Sequence, residues 1–155
     1  MVADATVVTN AKEVKISVQK ASKKIKPSIQ KALAQATAFE ISAIKDRTFK
    51  GIDAFGSNFI PYSKEYAFFR RKKGRQAGFV DLNFSGQMFS SLTSKILPSK
   101  GYLFFRQAEA NKKAFYNDEA GVGKSKKRRQ FFSISEREEV AIQKLFEDVI
   151  KRIKL

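Results

Sequence analysis

From Val14 to Ala43 the apolar positions Val14, Val18, Ala21, Ile25, Ile29, Ala32, Ala36, Phe39 and Ala43 recur three and four residues apart. That spacing is the stripe of an amphipathic helix. Pro27 interrupts it, because proline lacks a backbone donor and its ring clashes with the preceding turn. The pattern therefore predicts a helix from about Pro27 to about Arg47, with Pro27 in the first turn. Residues 14–18, VKISV, also alternate with period two, so a short strand competes with helix there. Residues 1–10 read as a flexible arm, although Val7 and Val8 could add to a sheet edge.

Residues 48–62 mix Gly51, Gly56, Asn58 and Pro61 with aromatics. They predict a surface loop pinned to the core by Phe55, Phe59 and Ile60. Ser63 caps a helix over SKEYAFFRRKK, with Tyr66 and Phe69 on one face and Gly74 at its end. Phe79, Val80 and Leu82 form a short extended run, with Asp81 as a turn or cap ligand. A short helix starting at Ser85 carries Met88, Phe89 and Leu92. SKILP and GYLFF flank Pro98-Ser99-Lys100-Gly101, the best hairpin signal in the chain. Residues 107–117 read as a further helix, and residues 118–130 as a basic, glycine-containing loop. Ser135 and Glu138 make a capping box ahead of Ile142, Phe146, Val149 and Ile153, which predicts a closing helix packed on the sheet. The sum is an α+β fold, a small antiparallel sheet with a hairpin packed against a long N-terminal helix and a C-terminal helix. At 155 residues one domain is expected, spanning 1–155.

Charge changes this picture most. The net charge is +16, and it is uneven. Residues 1–60 carry 10 basic and 5 acidic side chains, residues 61–135 carry 16 and 5, and residues 136–155 carry 5 and 5. The excess sits in two runs: Arg70, Arg71, Lys72, Lys73 and Arg75, then Lys124, Lys126, Lys127, Arg128 and Arg129. Such a field attracts polyanions or acidic partners. Contact with phosphates, giving affinity without sequence preference, is one reading of both runs. A helix end and a solvated loop is the other. Neither run is interleaved with aromatics as stacking platforms are.

Catalytic chemistry finds little foothold. The chain has no His and no Cys, which removes the commonest general base, thiolate ligands and disulfides. GVGKS at Gly121–Ser125 resembles part of a phosphate loop, but the glycine needed five residues before Gly123 is Asp118. Asp46, Asp53, Asp81, Asp118 and Glu119 are scattered without acid–base spacing, and no metal or cofactor is called for. The opening residues lack a signal-peptide pattern, and no stretch reaches the roughly 20 apolar residues of a membrane span. A soluble protein is expected.

One serial pattern stands out. Arg47-Thr48-Phe49 is followed by Gly51, Asp53, Gly56, Phe59, Pro61-Tyr62-Ser63 and Tyr66, then a basic run with Gly74-Arg75. Val80-Asp81-Leu82, Ser85-Gly86-Gln87-Met88 and Ser91-Leu92 come next. Lys113-Ala114, Tyr116-Asn117, a second basic loop and Arg129-Gln130-Phe131-Phe132-Ser133-Ile134-Ser135 complete it. Over roughly residues 40–150 this order resembles the tailed-bacteriophage virion morphogenesis family, the tail-completion or head–tail joining proteins of the neck. The resemblance implies a non-enzymatic structural subunit of the virion neck, present in host cytoplasm during assembly. It implies a homo-oligomeric ring between the DNA-filled head and the tail, with portal, adaptor and tail proteins as neighbours. The positive charge would then face packaged DNA, without sequence preference, or acidic ring neighbours. A small basic nucleic-acid-binding module is the alternative.

Overall fold

The computed structural model describes residues 5–10, 13–18 and 25–153. Its elements run β1 (Ala5–Asn10), β2 (Glu13–Val18), α1 (Lys26–Phe49), α2 (Lys64–Lys72), α3 (Gln87–Ser90), β3 (Leu92–Leu97), β4 (Lys100–Phe105), α4 (Ala108–Phe115) and α5 (Glu136–Lys151). The strands form one antiparallel sheet in the order β1-β2-β4-β3. The fold is α+β, with the hairpin packed against the long α1 and with α5 behind it. Residues 14–18 thus take the strand alternative. The arm expected over 1–10 is, at Ala5–Asn10, an edge strand in which Val7 pairs with Ile16 and Val8 with Lys15. Residues 1–4 of that arm lie outside the described residues.

The β3–β4 hairpin turns through Pro98 and Ser99 alone, since Leu97 pairs with Lys100 and Ile96 with Gly101. Gly101 is therefore a strand residue rather than part of the turn. Its absent side chain has a packing reason: a Cβ there would lie 2.7 Å from Thr37 Cγ2 on α1. Gly101, Leu103 and Phe105 alternate as the buried face of β4, the period-two pattern of a sheet covered on one side.

Helix α1 starts with Pro27 in its first turn, as the sequence indicated. Its buried face is Ile29, Ala32, Leu33, Ala36, Thr37, Glu40, Ile44 and Thr48, a line that advances by a true helical period. Phe39, expected in the stripe, is exposed, and Ala43 is half-buried. Helix α5 carries the capping box: Ser135 accepts from Glu138 N, and Glu138 Oε2 accepts from Ser135 N at 2.7 Å. It packs chiefly along α1 rather than on the sheet, burying Ile142 and Phe146 against Ile29, Ala32, Leu33 and Ala36. A second, adjoining cluster gathers Ile44, Phe59, Val80, Phe89, Leu103, Phe105, Phe131 and Phe132 around the other end of α1.

Between these helices lies a buried polar joint. Arg47 Nη1 donates to Phe131 O at 2.8 Å, Nη2 donates to Ser133 O, and Nε stands 3.1 Å from Glu138 Oε1. Glu40 is wholly buried beside them, and neither of its carboxyl oxygens has a hydrogen-bond partner. Burial, and then the negative charge of Glu138, push its carboxyl up to about 8, with Arg47 opposing. A carboxyl in that environment stays protonated at neutral pH.

Candidate functional site

The loop after α1 is held differently from its expected pinning. Phe59 is buried, but Phe55 is 71% exposed and Ile60 is 46% exposed; Ala54 supplies the second buried anchor. Asp53 Oδ1 accepts from Phe55 N at 2.9 Å and from Ser57 N at 2.8 Å, and Ala54 N donates to Gln130 O. Gly56 has φ +83° and open space where a Cβ would stand. The tip is thus a tied turn that carries Phe55 outward.

Helix α2 begins at the expected cap, with Ser63 Oγ accepting from Tyr66 N. Its last turn holds the first basic run, and here the structure divides the residues. Arg71, Lys72, Lys73 and Arg75 are exposed, but Arg70 is only 1% exposed. Arg70 Nη2 donates to Asp81 Oδ1 and to Asn83 O, both at 3.0 Å, and Nε donates to Gln76 O at 2.8 Å. Asp81 Oδ1 also accepts from Tyr62 Oη at 3.1 Å and from Asn83 N at 3.0 Å. The turn role expected of Asp81 is correct, and a buried ion pair is added to it. Burial, and then the Asp81 charge, push the Tyr62 phenol up to about 12, so it remains a donor. The expected extended run at Phe79–Leu82 is not a strand: Leu82 is left-handed, with φ 52°, and only Val80 is deeply buried. The helix expected from Ser85 is the single turn Gln87–Ser90 behind Gly86, with Leu92 already in β3.

The second run divides in the same way. Helix α4 runs into a π-turn at Tyr116–Ala120, and Val122 bridges to Lys127 across a tight turn. Lys124, Lys126 and Arg128 are exposed and Lys127 is half-buried, but Arg129 is 6% exposed. Arg129 Nε donates to Ile60 O at 3.0 Å and Nη2 to Pro61 O at 3.2 Å. It has no carboxylate partner among the described residues, and burial lowers its proton affinity. Asp118 is a structural acceptor: its Oδ1 takes Phe131 N at 2.7 Å and Phe132 N at 2.9 Å. Burial raises that carboxyl, although both amide donors oppose the shift.

The two runs meet at one tyrosine. The guanidinium carbons of Arg70 and Arg129 lie 4.7 and 5.4 Å from the Tyr62 ring centroid, within cation–π range. Around them opens a groove of about 1010 Å³, lined by Tyr62, Tyr66, Leu82, Phe84, Met88 and Phe89, by Lys113, Lys124 and Lys127, and by one acid, Glu65. Aromatics are interleaved with the first run after all, since Lys72 stands over Phe68, Lys73 over Phe69 and Arg75 over Phe84. Helical folding and the following loop bring these pairs together, which linear spacing did not reveal. Among the described residues, no three acidic side chains gather to hold a metal ion, and no helix is long and apolar enough to cross a membrane. Comparison with protein-family models, curated protein sequences and solved structures finds no match.

Proposed function

We propose that this chain is a structural, non-enzymatic subunit of a tailed-phage neck, a head–tail connector or tail-completion protein that assembles in a ring. The observation that carries this reading is the serial order of residues from Arg47 to Ser135. Their roles in the fold support it. Arg47 locks the segment before α5, Asp53 ties a loop tip, and Tyr62, Arg70 and Asp81 form one partly buried network. Side chains engaged in such joints suit a protein whose task is to hold a shape. The surface carries what assembly would use. Phe55, Phe68 and Tyr116 are more than half exposed, and the seven cations at 71–73, 75, 124, 126 and 128 are exposed without an ion pair among the described residues. Portal, adaptor or tail proteins are the proposed neighbours, with packaged DNA as a contact for the cations. The test is composition: mass spectrometry of purified virions should detect the chain in multiple copies, and its absence from them would sink the reading.

The cations around 71–75 and 124–128 favour one second reading, a small nucleic-acid-binding module. It requires retardation of free DNA or RNA that weakens as salt rises, because counterion release drives such binding. No shift at moderate salt removes it.

A further inference from the structure

The groove beside Tyr62 and the tip at Phe55 are complementary in kind. The groove offers an apolar floor, a rim in which Lys113, Lys124 and Lys127 outnumber one acid, Glu65, and the buried Arg129, which has no ion pair among the described residues. Its volume of about 1010 Å³ is at the upper end of sites that hold drug-sized ligands, about 300–1,000 Å³, and suits a loop tip better than a single ring. A nucleobase is a poor occupant, because the aromatic surfaces are already engaged. Arg70 and Arg129 lie over Tyr62, Arg70 also approaches Tyr66 and Phe84, and Phe84 stacks on Phe69 at 5.7 Å. Base stacking needs a free π-face.

The tip supplies the missing half. Phe55 is the most exposed large apolar residue among those described, and the Asp53 bonds to its amide and to Ser57 hold it in place. Residues 51–63 contain no lysine or arginine and one acid, Asp53, in a chain of net charge +16. The two basic runs of neighbouring copies repel, whereas this tip presents an aromatic and a carboxylate to an apolar floor with a mostly cationic rim. We infer that the groove receives the Asp53–Phe55 tip of a second copy of the chain. This rests on the ring reading above and gives it a contact. Unlike surfaces that meet head to tail close into a ring when the rotation allows. Holding the tip rigid beforehand lowers the ordering cost of association.

The test uses the full chain and its lack of cysteine. One protein carries Phe55→Cys and another Ser125→Cys, in the groove wall. Mixed and mildly oxidised, they should give a disulfide-linked heterodimer in excess over either homodimer. In parallel, sedimentation velocity of the wild type should show self-association. Phe55→Asp, at an exposed position that leaves folding intact, should weaken it about tenfold or more, as expected for an interface anchor, and Lys124→Glu should weaken it as well. Oligomers that persist unchanged in Phe55→Asp, or a mixture with no excess heterodimer, overturn the docking mode while leaving the neck reading to virion composition. A wild type that stays monomeric throughout also overturns it. Preferential capture of an added acidic peptide or of oligo(dT) by the groove, with the second copy excluded, would replace it with another occupant.

Discussion

Arg70 and Arg129, one from each basic run, share the ring of Tyr62, their guanidinium carbons 4.7 and 5.4 Å from its centroid. Each run therefore gives one cation to the interior and leaves the others exposed, apart from the half-buried Lys127. The charge that dominates the sequence has two separable jobs.

Substitution should separate them. Arg70→Ala leaves the Asp81 carboxylate, whose side chain is 14% exposed, without its cation; the loss should approach, without exceeding, the about 3–5 kcal/mol of fully buried pairs. Arg71→Ala, at an exposed position, should stay within about 0.5 kcal/mol of wild type. Urea unfolding of the two variants gives the comparison; equal stabilities would mean that the Arg70 network is not formed.

Glu40 should make stability depend on pH. Its carboxyl is neutral in the fold up to about pH 8, against an ordinary value of 4.5. Between those values the folded state holds a proton that the unfolded chain has released. Its favourable contribution is fully present below about pH 4.5 and is lost as pH rises, by about 1.4 kcal/mol per unit within that window. The groups facing it are Glu138 and Arg47. Glu40→Gln keeps the shape without the titration, so its stability should decline less between pH 5 and 8 than that of wild type. Parallel thermal melts with identical slopes would contradict this.

Asp118→Ala should leave the amides of Phe131 and Phe132 without their acceptor in a buried site. An orphaned buried donor costs about 1–3 kcal/mol. Denaturant midpoints should show a loss in that range or above it. Hydrogen exchange at the two amides should accelerate, and unchanged protection there would refute the assignment.

Gly101→Ala places a methyl group 2.7 Å from Thr37 Cγ2, and overpacking of this kind costs about 1–3 kcal/mol. Thr37→Ser removes that Cγ2 while keeping a hydroxyl that can donate to Ala34 O. In a double-mutant cycle the pair should be more stable than the sum of the single changes predicts. Strict additivity would place the Gly101 constraint elsewhere.

The sequence made periodic elements legible and hid what depends on contact at a distance. The starts of α1, α2 and α5 follow from Pro27, Ser63 and the Ser135–Glu138 box, because caps are local. The hairpin followed from its flanking apolar runs, but Gly101 looked like turn chemistry when its cause is the approach of α1. Glu40 was invisible as a core residue, since polar type argues for exposure and only the helical phase puts it inside. The basic runs were legible as charge and not as sites. The partners that bury Arg70 and Arg129 are Asp81, Asn83 and the carbonyls of Ile60 and Pro61, and the chain order does not place these beside them. The groove is a tertiary product of the segment after Tyr62 and the turn at Val122–Lys127, and no single stretch encodes it.

The proposed role of this chain is a place in the virion neck. Electron microscopy of purified particles, at a resolution that traces chains in the neck, tests it most directly. The expected result is a closed ring of copies of this fold between portal and tail, with exposed cations facing the DNA channel or an acidic neighbour. A neck whose every ring is traced to other chains would contradict it.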